Sequence, residues 1–289
     1  MSSKVKIIAT VFIIWITLYS FKDIENIIAG MLILTVGLVH GACDITLTLT
    51  KLDTSLLKHR LIIILLYVAV AILSFTVIYN LPIIGFIIFL CISSYHFGEQ
   101  HFHKKIINSN LGFFHFLIYG MVVFLLMIIA NKESVNDILL TLIGNEIIKL
   151  PIQPILYVVS GIMLFLWALD FKNIQFSVFK ELFNLLIIYV LFYNTNLIVS
   201  FASYFVIWHS IPSIYDQIEY LYNNVTKETI LKYLKNSGAY WVISITGLIF
   251  MVLKGEIVGE NYYRILYSFI VSVTIPHILL MNKILSKSS

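Results

Sequence analysis

Charged side chains are scarce in this sequence: Asp, Glu, Lys and Arg together make up 12% of its 289 residues. Soluble domains carry roughly twice that share, so a water-exposed surface cannot be built from this composition. Hydrophobic residues reach 60% and the mean hydropathy is +0.96, which is the profile of an integral membrane protein. Only two cysteines occur, Cys43 and Cys91. Both lie in apolar runs, so neither a disulfide framework nor a cysteine-built metal site is expected. The net charge of +4 comes without a basic stripe and interleaved aromatics, which argues against a nucleic-acid partner. No repeat, low-complexity tract or soluble domain is visible, and a single membrane domain over residues 1–289 is expected. No small-residue cleavage site follows the apolar stretch from Ile7 to Tyr19, so it reads as a retained first helix rather than a signal peptide.

What is present is a succession of apolar windows of about 17 to 22 residues, long enough to cross a bilayer. They lie at 4–21, 27–50, 60–79, 82–100, 111–130, 154–171, 177–193, 196–217, 238–254 and 262–283. The pattern predicts an all-α fold, a polytopic membrane helical bundle of about ten transmembrane helices. Residues 131–153, with Asn136, Asp137, Asn145 and Glu146, read as an amphipathic segment along the membrane surface. Residues 218–237 read as the other long polar connection. With a cytoplasmic N-terminus, Lys22, Lys132, Lys149, Lys254 and Arg264 fall outside, and the other fourteen of the 19 Lys and Arg fall inside. That bias obeys the positive-inside rule, and an odd number of helices would scramble it. The expected location is the cell membrane, multi-pass in membrane lipid, with both termini cytoplasmic.

Four of the 8 histidines stand in the second half of a spanning window: His40, His96, His209 and His277. Under this topology their windows all run from outside to inside. The four lie ten, four, eight and six residues before the window ends near Thr50, Gln100, Gln217 and Lys283. At 1.5 Å per residue these are depths of about 15, 6, 12 and 9 Å, compatible with one layer in the inner leaflet. Imidazole is costly to bury in hydrocarbon, so such histidines line cavities, relay protons or hold metal.

The context of each histidine points to a shaped polar pocket. In Gly37-x-x-His40-Gly41-Ala42-x-Asp44, the glycine spacing admits a second helix closely. Asp44 lies one turn beyond His40 and is a candidate to orient a ligating imidazole. In Ser93-x-Tyr95-His96-Phe97-Gly98-Glu99, His96 and Glu99 share a helix face, a spacing used in bundle metal sites. His101 and His103 are expected beyond the membrane edge in a solvated role, and His115 as a satisfied interfacial histidine. The third segment runs from Tyr204 through Trp208-His209 to Pro212, Ser213, Asp216 and Gln217; the fourth is Pro276-His277. Each proline should kink its helix beside a cavity. Four neutral imidazoles suit zinc, copper, iron or nickel. Tyr95, Phe97, Tyr204 and Trp208 are candidates to line a slot for a long apolar substrate.

Together these segments resemble the Brp/Blh family of bacterial β-carotene 15,15′-dioxygenases. The resemblance rests on His40-Gly41-Ala42-x-Asp44, Ser93-x-x-His96-Phe97-Gly98, Trp208-His209 and Pro276-His277, in order along most of the chain. It implies an all-helical membrane enzyme that holds Fe²⁺ with histidines and cleaves the central double bond of β-carotene with O₂ to two all-trans-retinal. It also implies a functional link to a retinal-binding rhodopsin. Two positions depart from the family pattern: Val39 stands where proline is frequent, and Ser213 where many members have a second histidine. On this reading His40, His96, His209 and His277 are the metal ligands and catalytic residues, His277 completing the set with His101 as the weaker substitute. Tyr95, Phe97, Tyr204 and Trp208 line the substrate path, and Asp44, Glu99 and Asp216 support the ligands.

The competing classes are a haem-binding membrane cytochrome and a proton-coupled transporter using the histidines as a relay. The first predicts a strong Soret band; the second predicts no metal and no product. The paired histidine boxes of di-iron desaturases are absent, and no lysine lies in mid-membrane to form a retinal Schiff base.

Overall fold

The structure, a computed structural model, describes residues 2–19, 22–52, 56–143, 151–253 and 262–285. It is all-α; among the described residues the only β pairing is an isolated bridge between Ile106 and Ile174. The helices are α1 (Ser3–Tyr19), α2 (Lys22–Leu32), α3 (Leu38–Ala42), α4 (Asp44–Lys51), α5 (Leu57–Asn80), α6 (Pro82–Phe102) and α7 (Gly112–Ala130). They continue as α8 (Lys132–Ile143), α9 (Ile152–Leu169), α10 (Val178–Asn194), α11 (Leu197–Tyr204), α12 (Ile211–Tyr222), α13 (Lys227–Leu253) and α14 (Tyr262–Leu285). Two π-turns, Ile33–Gly37 and Phe205–Ser210, join α2 to α3 and α11 to α12.

Where their residues are described, the expected windows fall on helix to within about two residues at their ends, and the second is interrupted by a turn at Cys43. Among the described residues, six helical stretches are long and apolar enough to cross a membrane: Ile24–Thr50, Leu57–Asn80, Pro82–Phe102, Gly112–Ala130, Ile152–Leu169 and Leu197–Tyr222. The chain is therefore an all-α polytopic membrane protein. Helices α1 and α10, at 17 residues each, are shorter than these six.

Two polar stretches resolve differently. Helix α8 is amphipathic as expected, burying Val135, Leu139 and Leu142 and exposing Lys132, Glu133 and Asp137; Asn145 and Glu146 lie outside the described residues. The long polar connection expected over 218–237 is mostly helix instead. Helix α12 runs on to Tyr222, Asn223 turns left-handed at φ 60, and α13 starts at Lys227. A left-handed residue ends a helix and releases the chain. The start of α13 is fixed by Thr226 and Thr229, whose side chains accept from each other's backbone N–H at 3.3 and 2.8 Å, a reciprocal cap. Polarity there marks the wet face of helices, not a loop.

The described residues pack as two compact units. The first comprises residues up to Ile33 and Leu90–Pro212; the second comprises Leu34–Phe89 and the chain from Ser213 onward. In the first, α1 packs on α10, α7 on α9 and α10, and α2 on α11, around a core that includes Phe102, Tyr119, Trp167, Ile188 and Phe192. The crossing of α6 with α7 is very tight. A Cβ on Gly98 would lie 1.9 Å from the Phe116 carbonyl oxygen, and one on Gly120 would lie 1.9 Å from that of Ser94. Only glycine permits that backbone approach. In the second unit α14 packs along α5 and α4, and α13 on α3, around Cys43, Leu47, Ile218, Tyr233 and Met281.

Candidate functional site

In the second unit, His40 and His277 meet. The π-turn Ile33–Gly37 precedes His40, and π-turns concentrate at functional sites. Helix α14 runs through Pro276 to present His277. Gly41 faces the partner ring: a Cβ there would stand 3.7 Å from His277 Nδ1, an ordinary van der Waals contact. The two ring centres are 4.7 Å apart, with ring planes at 89°. Both residues are buried.

Their hydrogen bonds fix which nitrogen each ring offers. His40 Nδ1 donates to the Gly37 carbonyl oxygen within its own helix. His277 Nδ1 donates to both carboxylate oxygens of Asp44, at 2.9 and 3.0 Å. A neutral ring with its proton on Nδ1 keeps its lone pair on Nε2. Asp44 thus stands behind His277, and it accepts a further bond from the Tyr67 hydroxyl at 3.0 Å. This is the carboxylate–histidine arrangement found behind metal ligands. Tyr67 was not singled out in the sequence: a lone tyrosine in an apolar helix, 23 residues from its partner, gives no signal.

In the first unit, His96 and His209 form a similar pair, with ring centres 4.7 Å apart and planes at 69°. His209 stands in the π-turn Phe205–Ser210. Pro212 lacks the N–H that would bond four residues back, and the Ile211 N–H reaches five back, to the Val206 carbonyl. The expected proline kink is therefore taken up as a widened turn at the histidine. Aromatic rings surround this pair: Phe97 and Phe205 lie 4.6 and 5.5 Å from the His209 ring, and Tyr204 lies 5.6 Å from Phe97.

The remaining candidates are placed as follows. The Tyr95 hydroxyl donates to Glu99 Oε1 at 3.0 Å, and its ring lies 5.2 Å from Phe113. Trp208 donates from Nε1 to Thr10 Oγ1 at 3.0 Å, with the Lys6 ammonium 5.5 Å from its ring centre; it ties the π-turn to α1. Asp216 is half-buried on α12. Its neighbour Gln217 is the residue that reaches a histidine segment, donating from Nε2 to the His40 carbonyl oxygen at 3.0 Å.

The solvated role expected for His101 is corrected by its burial. His101 Nε2 is 2.8 Å from Glu181 Oε2, Lys105 Nζ donates to Glu181 Oε1 at 2.8 Å, and Asn184 Nδ2 donates to Glu181 Oε2 at 3.0 Å. Tyr119 stacks on the His101 ring at 4.8 Å. Glu181, 80 residues away in sequence, made the partnership invisible to local reading. His115, expected as a satisfied interfacial histidine, is buried and bonded through one nitrogen: its Nε2 lies 2.9 Å from Asp170 Oδ2. Burial raises the Asp170 carboxyl, but hydrogen bonds from Ser109, Asn173 and His115 outweigh it and hold the group below its ordinary value.

An all-helical membrane protein with paired imidazoles buried in its interior is the class that fold and site define. Against known proteins, the family described as beta-carotene 15,15'-dioxygenase matches residues 31–284. A curated relative, the beta-carotene 15,15'-dioxygenase of uncultured marine bacterium 66A03, is 25% identical over 260 residues, covering 87% of this chain and 90% of the relative. No solved structure matches. The chain belongs to the beta-carotene 15,15'-dioxygenase family, a family of carotene-cleaving enzymes.

Proposed function

We propose that this chain cleaves the central 15,15′ double bond of β-carotene with O₂, giving two all-trans-retinal, and that His40, His96, His209 and His277 hold the Fe²⁺ it needs. The observation that supports the metal reading is the hydrogen bonding of Nδ1 in His40 and His277, which puts the lone pair of each neutral ring on Nε2. Spacing supports it too. An imidazole bound through one nitrogen has its centre about 3.3 Å from the ion, so two ligands at a right angle have centres about 4.7 Å apart. Both pairs stand at 4.7 Å. An all-imidazole donor set suits ferrous iron, and four such ligands leave positions open for O₂.

When bound, iron supplies the one-electron and O₂ chemistry that side chains lack. The chain's own part is placement and exclusion. The Gly37 carbonyl and Asp44 hold the Nδ1 protons of His40 and His277, fixing tautomer and ring direction. Phe97, Tyr204 and Phe205 give the His209 side an apolar aromatic wall suited to a polyene and hostile to water. We place Tyr95 and Trp208 on the same substrate route, and Glu99 and Asp216 as supports of the ligand helices. The enzyme would work in the cytoplasmic membrane with both termini inside, where its substrate partitions, and its product would serve a retinal-binding rhodopsin.

The test is expression in bacteria that accumulate β-carotene, followed by chromatography for retinal. Wild type should bleach the cells and yield retinal, and alanine at any of the four histidines should reduce it at least about a hundredfold. Near-normal retinal from His277→Ala removes that residue from the ligand set. A purified protein with a strong Soret band and no retinal would favour the cytochrome.

A further inference from the structure

The chain near His40 is not a regular helix, and something must hold it. Passing from i+4 to i+5 bonding through the π-turn Ile33–Gly37 leaves a carbonyl out of the ladder. Helix α3 then ends at Ala42, with the next helix starting at Asp44. The last four carbonyls of a helix lack intrahelical partners, and for α3 these include Val39 and His40. Buried carbonyls of this kind need donors from elsewhere.

Side chains from α12 and α13 supply them. Trp241 Nε1 donates to the Leu34 carbonyl oxygen in the π-turn at 2.7 Å. Gln217 Nε2 donates to the His40 carbonyl oxygen at 3.0 Å and to Ser213 Oγ at 3.1 Å. The Tyr233 hydroxyl has one proton to give. It lies 2.6 Å from Gln217 Oε1, against 3.4 and 3.5 Å from the Val39 and His40 carbonyl oxygens, so the proton goes to Gln217. That bond settles which way the Gln217 amide faces: oxygen toward Tyr233, NH₂ toward His40. Gln217, Ser213 and Tyr233 are each at most 1% exposed, so water does not compete for these bonds.

We propose that Gln217 is a positioning residue for His40, oriented by Tyr233, and that Trp241 anchors the preceding π-turn. The residue touches no reacting atom. It acts by pinning the backbone from which His40 projects, and thereby the direction of the His40 ring. This inference rests on His40 being an iron ligand, as proposed above.

The experiment compares purified wild type with Gln217→Leu, Tyr233→Phe, the double variant and His40→Ala. For each, iron affinity is measured by chelator competition and the metal-free protein's stability by thermal unfolding. Gln217→Leu should weaken iron binding by about 10- to 100-fold, the usual range when a ligand's support is removed. Tyr233→Phe should weaken it less, in the same direction. The double variant should match Gln217→Leu alone, because Tyr233 acts through Gln217. A purely structural role predicts the opposite: lower stability of the metal-free protein, unchanged iron affinity and additive effects. That result overturns the proposal, as does wild-type affinity in Gln217→Leu. Should Gln217→Leu fail to accumulate, Tyr233→Phe, which loses one oxygen, decides alone: unchanged affinity overturns the proposal. If His40→Ala binds iron as wild type does, the ligand assignment falls and this inference falls with it. If only His40→Ala loses iron, positioning alone is refuted.

Discussion

Asp44 shows how much of this molecule depends on single polar atoms. Its carboxylate is buried in an apolar helix pair and takes bonds from His277 and Tyr67. Asp44→Asn keeps the shape but weakens the acceptor facing His277 Nδ1. Iron retention should fall by about 10- to 100-fold, with retinal formation falling alongside; metal analysis of the purified variant checks the first part. At this scale the sequence was half legible. Histidines and an aspartate in apolar runs stand out because hydrocarbon makes them expensive. Tyr67 and Tyr233 do not stand out, because tyrosine is common in membrane helices and only tertiary contact reveals what its hydroxyl holds.

Elements carry the next layer. The windows of hydropathy located the helices well, since length and apolarity are what a span requires. The π-turns beside His40 and His209 were not legible: Pro212 suggested a disturbance, yet a proline indicates a kink and a widened turn equally well. The glycine spacing at Gly37 and Gly41 attracted attention, whereas the closest backbone approach lies at Gly98 and Gly120, two glycines on different helices that no local pattern links. Gly98→Ala should break the α6–α7 crossing. Because the obstacle is a carbonyl oxygen and not a flexible side chain, relief requires moving a backbone, at about 3 kcal/mol or more. The expected outcome is little extractable folded protein, read by fluorescence-detected size exclusion. The Glu181 cluster predicts a different result. Glu181→Ala leaves the buried His101 and Asn184 without their acceptor, which should destabilise the protein by about 1–3 kcal/mol while leaving iron per folded molecule unchanged. A thermal shift paired with metal analysis separates the two effects.

At the scale of the whole molecule, composition alone excluded a soluble protein, and four dispersed motifs pointed to the family that the comparison then matched over residues 31–284. Dispersed motifs are informative here because each is short, while their order and membrane depth are jointly restrictive. The polar stretch 218–237 was misread for a reason of the same kind. Amphipathic helices at a membrane edge look like loops when hydropathy is averaged, and Tyr233 belongs to that region.

Helix α5 is 24 residues long, its most apolar 18-residue stretch has a mean hydropathy of 3.0, and Ile78 is its sole buried residue. Lipid therefore covers most of the helix that carries Tyr67. Lys58, His59 and Arg60 open it, so its apolar part, Leu61 to Ile78, is about 27 Å long, close to a typical hydrocarbon thickness of about 30 Å, and a thicker or thinner bilayer would change its lean. Because α5 packs along α14, any such change is shared with the helix that bears His277. Turnover reconstituted in vesicles of graded acyl-chain length should pass through an optimum, and Tyr67→Phe should flatten that profile. The surrounding membrane then acts as a tuning element, setting by its thickness how firmly the Tyr67–Asp44–His277 relay is drawn.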